Sequence, residues 1–108
     1  MGRAQRAPYA QRGMTVIWSP EALFDLADLR EYIAEDKPNA ARRVAIAIVQ
    51  TVEEGLSMNP KLGHPGRVPG TRELVIPKMP FIVPYRIRAN VLEVLGVYHH
   101  ARRWPERF

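Results

Sequence analysis

The sequence predicts a single α+β domain in which an N-terminal strand and an antiparallel helical hairpin accompany a small antiparallel sheet. Two segments between residues 20 and 57 repeat apolar residues at helical spacing, and only about four residues join them. Three short runs between residues 71 and 98 are rich in β-branched and aromatic residues, and their short breaks leave no room for helices. A chain of 108 residues builds one core, so the apolar stripe of the hairpin is expected to cover the sheet.

The N-terminal segment differs in composition from the rest of the chain. Residues 1–13 carry three arginines and no acidic residue, and they lack apolar periodicity. We therefore predict a disordered basic extension over residues 1–13 and a folded domain over residues 14–108. The stretch from Thr15 to Trp18 then forms the first strand.

The first helix begins with a strong signal, because Ser19 suits the N-cap, Pro20 the first helical position and Glu21 the first turn. Its apolar stripe consists of four residues at helical spacing and three that widen it, namely Ala22, Leu26, Leu29 and Ile33, then Leu23, Ala27 and Ala34. Its acidic residues are expected to form a solvated outer face. Pro38 can open a second helix, predicted over residues 39–57, with a broad apolar stripe of its own.

The connection from residue 60 to residue 70 contains three prolines and three glycines, so we predict a loop without regular structure. A loop of this length is either a plain connection or a functional element, for which His64 and Arg67 are the candidates. Pro84 predicts an edge position or a bulge for the second strand of the meander, whereas the nearly continuous apolar run of the third predicts a central strand. The three strands are predicted over residues 71–76, 80–87 and 91–98.

The charge distribution places a positive field on the sheet half of the chain. The net charge is +5, with −4 over residues 14–60 and +6 over residues 61–108. Such a field attracts nucleic acid or an acidic protein, although a DNA-binding regulator is less favoured because no predicted helix has a basic recognition face. There is no cysteine, no apolar run long enough to span a membrane and no signal peptide, so we expect a cytoplasmic protein without membrane attachment.

The candidate site is the polar segment that follows the last strand. His99 and His100 are expected to point to opposite sides of a strand, so neither a metal nor another cofactor is predicted. Histidine can transfer protons and arginine can stabilise charge on a phosphate, so one alternative is metal-free RNA cleavage with Tyr98, His99 and His100 as catalytic residues. The other alternative is a basic surface that binds a target or partner protein, formed by Arg67, Arg72, Arg86, Arg102, Arg103 and Trp104.

Several short motifs, taken in order, resemble the RelE/ParE toxins. They include Val16-Ile17-Trp18-Ser19-Pro20-Glu21-Ala22, Gly70-x-Arg72-Glu73-Leu74, Tyr85-Arg86 and the ending Val94-Leu95-x-Val97-x-His99-x-Ala101-Arg102-x-Trp104-Pro105. The resemblance covers residues 14–108. It implies a toxin of a type II toxin–antitoxin module that forms a hetero-oligomer with a cognate antitoxin. It also implies a helical hairpin packed on a small twisted antiparallel sheet.

The same resemblance implies two kinds of target. RelE-type members cut mRNA on the ribosome with basic residues on their second and third strands, and the corresponding positions here hold Glu73, Val75 and Ile82. Tyr98-His99 is similar to a Tyr-His pair in another ribonuclease branch, whereas the ending at residues 99–102 is closer to ParE-type members, which poison DNA gyrase. The resemblance favours a gyrase-inhibiting, non-enzymatic toxin, with a ribosome-dependent mRNA endoribonuclease as the alternative.

Overall fold

The computed structural model describes residues 13–108, which form two helices and six strands. The helices are α1 (Pro20–Ala34) and α2 (Pro38–Met58). The strands are β1 (Thr15–Trp18), β2 (His64–Pro65), β3 (Arg72–Val75), β4 (Phe81–Arg88), β5 (Val91–Val94) and β6 (Tyr98–His99). Residues 1–12, on which nearly all of the predicted extension falls, lie outside the described residues.

The predicted fold class is confirmed, because the two helices pack on each other and against one face of a sheet. The strand order is β1-β5-β4-β3-β2, and β6 also pairs with β4. β3, β4 and β5 form the predicted antiparallel meander, but β1 lies parallel to β5, with Thr15 opposite Val91. The sheet is therefore mixed rather than wholly antiparallel. Local sequence patterns identify β1 as a strand but do not encode a partner so much later in the chain.

The two helices contribute unequally to the core. α1 starts as predicted, with the Ser19 side chain accepting a hydrogen bond from the backbone N–H of Ala22 at 3.0 Å. Within α1 only Ala22 is fully buried, and Leu23, which we expected to widen the apolar stripe, is 53% exposed. The prediction for Leu23 is wrong because the long apolar stripe of α2 occupies the centre of the core, with buried residues Ala41, Ile48, Val52 and Leu56.

Pro84 lies in the middle of β4, an inner strand, so the predicted edge position is wrong. Its carbonyl accepts a hydrogen bond from the N–H of Leu95 at 2.9 Å, and on that side the partner of β4 changes from β5 to β6. The predicted third strand is thus divided by Leu95–Val97, although β5 is an inner strand as expected. A residue's N–H and C=O point to the same side of a strand, so the missing N–H of Pro84 falls where this ladder is already interrupted.

The connection between α2 and β3 was predicted to lack regular structure, and this prediction is wrong in part. His64–Pro65 forms the two-residue strand β2, which pairs with β3. Pro69 and Gly70 then form a type II turn, with φ of Gly70 at +82° and a 3.1 Å hydrogen bond from the Thr71 N–H to the Val68 carbonyl. Two residues carry no periodicity of their own, so the neighbouring strand rather than the local sequence specifies β2.

The hydrophobic core lies between the helical hairpin and one face of the sheet, and its largest buried side chains include Tyr85, Ile48 and Leu56. The other face, which we term the outer face, carries the residues that alternate with the core positions, namely Glu73, Ile82, Pro84, Arg86, Glu93 and Tyr98. Neither helix within residues 13–108 is long and apolar enough to cross a membrane.

Candidate functional site

The C-terminal segment, residues 101–108, lies against Tyr98 on the outer face. The ring of Trp104 meets that of Tyr98 at a centroid distance of 4.8 Å and an interplanar angle of 76°, and Phe108 lies 6.2 Å away. The guanidinium of Arg102 lies 4.1 Å over the same ring. These contacts leave Tyr98 only 6% exposed. Burial raises the pKa of its hydroxyl, although the charge of Arg102 opposes the rise.

Arg67 joins the loop before β3 to both the sheet and the C-terminal segment. Its guanidinium carbon lies 3.8 Å from the centroid of the Trp104 ring. Its Nε and Nη2 donate hydrogen bonds of 3.0 and 3.1 Å to the carboxylate of Glu73, and its backbone N–H donates a third of 2.7 Å. Glu73 is 1% exposed. Burial alone would raise the pKa of Glu73, but the hydrogen bonds from Arg67 hold it below its usual value.

Helix α1 contributes a second acid to this region. Asp25 Oδ2 accepts a hydrogen bond from the N–H of Val97 at 3.1 Å, and Oδ1 lies 3.5 Å from Nη1 of Arg102. A side chain at Gly96 would prevent this approach, because its Cβ would lie 3.0 Å from Asp25 Oδ2 and 2.7 Å from the Tyr98 ring. Burial raises the pKa of Asp25 by more than Val97 and Arg102 lower it. Asp25 therefore does not belong to the solvated acidic face in which we placed it.

Three of the six predicted binding residues meet around Tyr98. Arg102 and Trp104 contact the Tyr98 ring, and Arg67 lies over the ring of Trp104. Arg103 is exposed next to this cluster. Within residues 13–108 it has no ion-pair partner within 4.0 Å, so its charge is available to a partner molecule.

The other two predicted binding residues are engaged elsewhere in the fold. Arg86 lies on the outer face, where its Nε donates to Glu93 at 2.9 Å across the β4–β5 pair. Arg72 donates to the carbonyl oxygens of Lys61 and Gly63 and so ties the end of the loop to β3. The structure does not bring either residue into the cluster around Tyr98.

The two adjacent histidines stack on each other, so the prediction that they point to opposite sides of a strand is wrong. Their ring centroids are 4.7 Å apart and their planes differ by 27°. β6 ends at His99, so the alternation of a strand does not extend to His100, which lies in a turn. Both are exposed, and Nδ1 of His99 accepts a hydrogen bond from the N–H of Ala101 at 3.1 Å. No group of three or more His, Asp or Glu residues within residues 13–108 could hold a metal ion.

An open groove of about 770 Å³ runs between α1 and the turn that joins β3 to β4. Its walls are largely apolar and are formed by Leu29, Ile33, Val44, Met79, Phe81 and Val97. On the α1 side its rim carries the carboxylates of Asp25, Asp28, Glu31 and Glu35. The groove thus combines an apolar interior with a rim whose excess charge is negative, since Arg102 also lines it and pairs with Asp25.

Sequence reasoning missed the two acids that organise this region. From the sequence, Glu73 was identified as a residue of the motif Gly70-x-Arg72-Glu73-Leu74 and as a departure from a basic position. Its neighbour Arg72 on the same strand gave no sign that its partner would be Arg67. Asp25 carries no signal either, because its spacing matches that of the exposed acids of α1.

Comparison of the sequence with known proteins finds a family profile and similar toxins. Residues 16–104 match the sequence profile of the family described as ParE toxin of type II toxin–antitoxin system, parDE. The chain is 43% identical over 89 residues to the presumed toxin Y4kP of Sinorhizobium fredii, covering 82% of this chain and 91% of that one. It is 29% identical over 87 residues to toxin RelE2 of Caulobacter vibrioides, covering 81% of this chain and 96% of that one.

Two solved structures share the fold. The chromosomal ParDE system from P. aeruginosa contains a chain with a TM-score of 0.75 and 26% identity, covering 80% of this chain and 95% of that one. The toxin–antitoxin complex RelBE2 from Mycobacterium tuberculosis contains one with a TM-score of 0.62 and 26% identity, covering 83% and 94%.

A helical hairpin on a small mixed sheet, with this order of motifs, defines a toxin of the RelE/ParE class. The chain belongs to the family of ParE toxins of type II toxin–antitoxin systems. The predicted family is confirmed, and relatives named for both ParE and RelE systems occur among the similar proteins.

Proposed function

We propose that this protein arrests growth by binding DNA gyrase, without proton-transfer chemistry, and that a cognate antitoxin neutralises it. The observation that carries the proposal is that the outer face lacks basic residues at the positions that RelE-type ribonucleases use for catalysis. The positions that are basic in RelE-type ribonucleases hold Glu73, Val75 and Ile82, and the carboxylate of Glu73 is buried and fully engaged with Arg67. Tyr98 is enclosed and its pKa is raised by burial, so it is poorly suited to exchange protons at neutral pH.

The C-terminal segment is the part of the surface best suited to contact a protein target. It presents the free charge of Arg103 beside Arg102 and Trp104. Arginine and tryptophan are the residue types that most often dominate the energetics of protein interfaces. The stacking around Tyr98 holds this segment in one arrangement, which lowers the entropy lost on binding.

The groove beside α1 supports the antitoxin part of the proposal. An amphipathic helix that places apolar residues into such a groove is a recurring mode of protein recognition. The groove walls are apolar and the rim carries carboxylates, so the docking helix should bear basic residues along the edge that faces α1. Acids of the same antitoxin are expected against the C-terminal arginines, chiefly Arg103, because Arg72 and Arg86 already have partners.

A ribosome-dependent mRNA endoribonuclease is the second candidate, and one observation favours it. His99 and His100 are exposed, stacked and close to Arg102 and Arg103 in the chain, so they could act as acid and base beside a phosphate. Their position at the end of β6, away from Glu73 on β3, differs from the strand positions that RelE-type enzymes use.

One experiment separates the two candidates. The purified protein is titrated into a DNA gyrase supercoiling assay, and mRNA from cells induced to express it is mapped by primer extension. We expect inhibition of supercoiling and no new 5′ ends at codon positions. Codon-specific cleavage together with unimpaired supercoiling would replace the gyrase proposal by the ribonuclease.

A further inference from the structure

A line of contacts crosses the outer face from the loop before β3 to helix α1. It runs from the buried carboxylate of Glu73 to the Arg67 guanidinium, then through the rings of Trp104 and Tyr98 to Arg102, with successive separations of 3.0, 3.8, 4.8 and 4.1 Å. Glu73 is the most buried member of the line, and it is the only one anchored in a central part of the sheet where the backbone is fixed by ladders on both sides of β3.

The geometry of the Glu73–Arg67 pair fixes the plane of the guanidinium. Two side-chain hydrogen bonds reach the two different carboxylate oxygens, and the backbone N–H of Arg67 makes a third. A bidentate pair of this kind restricts both the distance and the orientation of the arginine, whereas a lysine in its place would be only a point charge. The Arg67 side chain is 47% exposed on its other side, which is the side available to an aromatic ring.

The C-terminal segment is tied to α1 at its start by the Arg102–Asp25 ion pair, and beyond Arg102 it has no comparable anchor within the described residues. Within residues 13–108 no backbone hydrogen bond involves a residue beyond Arg102, whose N–H donates to the carbonyl of His99 at 2.9 Å. The indole N–H of Trp104 is buried and finds no acceptor there, so hydrogen bonding does not hold the ring either. Trp104 is held by stacking alone, on Arg67 and against Tyr98.

We infer that Glu73 is a positioning residue: acting through the guanidinium of Arg67, it sets where Trp104 and the C-terminal segment lie on the outer face. The consequence for toxicity rests on the proposed function, in which Arg102, Arg103 and Trp104 contact the target.

The chain offers a matched control in a second ion pair on the same face. Arg86 and Glu93 are bonded at 2.9 Å, and neither takes part in the stacking on Trp104, although Arg86 lines a shallow pocket together with Arg107 and Phe108. Glu73→Gln and Glu93→Gln each remove one carboxylate from an arginine pair of the outer face. The Glu73 side chain is 2% exposed and that of Glu93 26%, so Glu73→Gln should lose more stability in general. The positioning role therefore requires that Trp104 is released in Glu73→Gln while a probe elsewhere in the fold stays in place.

The test uses ¹⁹F NMR of the full chain labelled with 5-fluorotryptophan. The chain has two tryptophans and therefore gives two resonances. Trp18 packs against the hydrophobic core and donates to Glu53 of α2 at 2.7 Å, so its resonance reports whether the fold is intact. In Glu73→Gln we expect the Trp104 resonance to move toward that of the free amino acid, with a larger H₂O/D₂O isotope shift, while the Trp18 resonance stays in place. The population with a detached segment should rise about tenfold, as expected for losing one charge-assisted hydrogen bond. Glu93→Gln should leave both resonances unchanged.

Arg67→Lys keeps the inference testable if Glu73→Gln does not fold, because it retains a cation for the buried carboxylate but lacks the planar group on which Trp104 stacks. It should release Trp104 as Glu73→Gln does. A Trp104 resonance that stays in place in Glu73→Gln, or that moves equally in Glu93→Gln, would overturn the positioning role. If Glu73→Gln does not fold, a Trp104 resonance that stays in place in Arg67→Lys overturns it instead. Growth arrest is then scored for each variant. Release of Trp104 with undiminished growth arrest would overturn the target-contact role of the segment while the positioning role stands.

Discussion

The hydroxyl of Tyr85, a fully buried core residue, accepts a hydrogen bond at 2.9 Å from the backbone N–H of Gly63 in the loop that follows α2. The same hydroxyl donates to the carbonyl of Pro60 at 2.7 Å. A central strand thereby holds both ends of the turn that follows α2. Burial raises the pKa of this hydroxyl although the Gly63 N–H opposes the rise, so it stays protonated and able to donate at neutral pH.

Tyr85→Phe should therefore destabilise the fold without creating a cavity. It leaves two buried backbone groups without a partner, which costs about 1–3 kcal/mol in the free energy of unfolding. Urea denaturation of the variant measures the loss. Tyr32→Phe is the control, because Tyr32 is 75% exposed and should change stability by less than about 0.5 kcal/mol. Equal effects at the two tyrosines would show that the hydroxyl of Tyr85 does not anchor the loop.

Glu73 should make stability depend on pH in the acid range. The pKa of Glu73 in the folded state lies below the ordinary value of a glutamate, because the bonds from Arg67 outweigh the effect of burial. The ionised carboxylate thus stabilises the folded state above the unfolded pKa, and this contribution is lost as the pH falls through the lower folded pKa. The gap in unfolding free energy between the wild type and Glu73→Gln should be widest at neutral pH and should narrow as the pH falls through the lowered pKa of Glu73. Urea titrations at several pH values measure it, and a gap independent of pH would contradict the assignment.

Arg103 tests the target surface without disturbing the fold, since it is exposed and has no ion-pair partner within residues 13–108. Arg103→Glu should weaken growth arrest. Arg102→Glu combined with Arg103→Glu should abolish it, because Arg102→Glu also places an acid beside Asp25. Growth curves after induction measure both. Arg42→Glu with Arg43→Glu makes the same change in net charge on α2 and should remain toxic; toxicity lost in this control but kept in the C-terminal pair would refute the assignment.

Glu31→Lys should weaken binding of the antitoxin if a basic helix docks along the rim of the groove. The exposed carboxylate lines the groove, and reversing its charge should lower affinity by about tenfold, with a smaller effect at high salt. Calorimetry with the product of the neighbouring gene at two salt concentrations measures this. Glu54→Lys, on an exposed position of α2 outside the groove, should bind as the wild type does. An affinity unchanged or raised by Glu31→Lys would place the antitoxin elsewhere or give it an acidic edge.

His99→Gln combined with His100→Gln separates binding from proton transfer. Glutamine keeps size and polarity but does not titrate, and general acid–base catalysis contributes roughly 10²- to 10⁴-fold. We expect the double variant to arrest growth as the wild type does. Loss of arrest in a variant that still binds its antitoxin would favour the ribonuclease.

The sequence by itself determined the two helices, the first strand and the meander of this protein, as well as its family. Helix starts are encoded locally, as Ser19 and Pro20 show, and apolar periodicity distinguishes the helical hairpin from the short strands of the meander. Ordered motifs across residues 14–108 were enough to predict the toxin family that the comparisons confirm. All of this information lies within a few residues of where it is used.

Only the tertiary structure decided which strands become neighbours and which charges are consumed inside the fold. The parallel pairing of β1 with β5, the inner position of Pro84 and the stacking of His99 on His100 each depend on what lies beside the residue in space. Arg67 and Arg103 both lie in the basic half of the chain, yet one is bound to a buried carboxylate and the other has no ion-pair partner among the described residues. The physical reason is that an ion pair or a stacked ring depends on distance and burial, and a chain acquires both only when segments far apart in sequence have packed together.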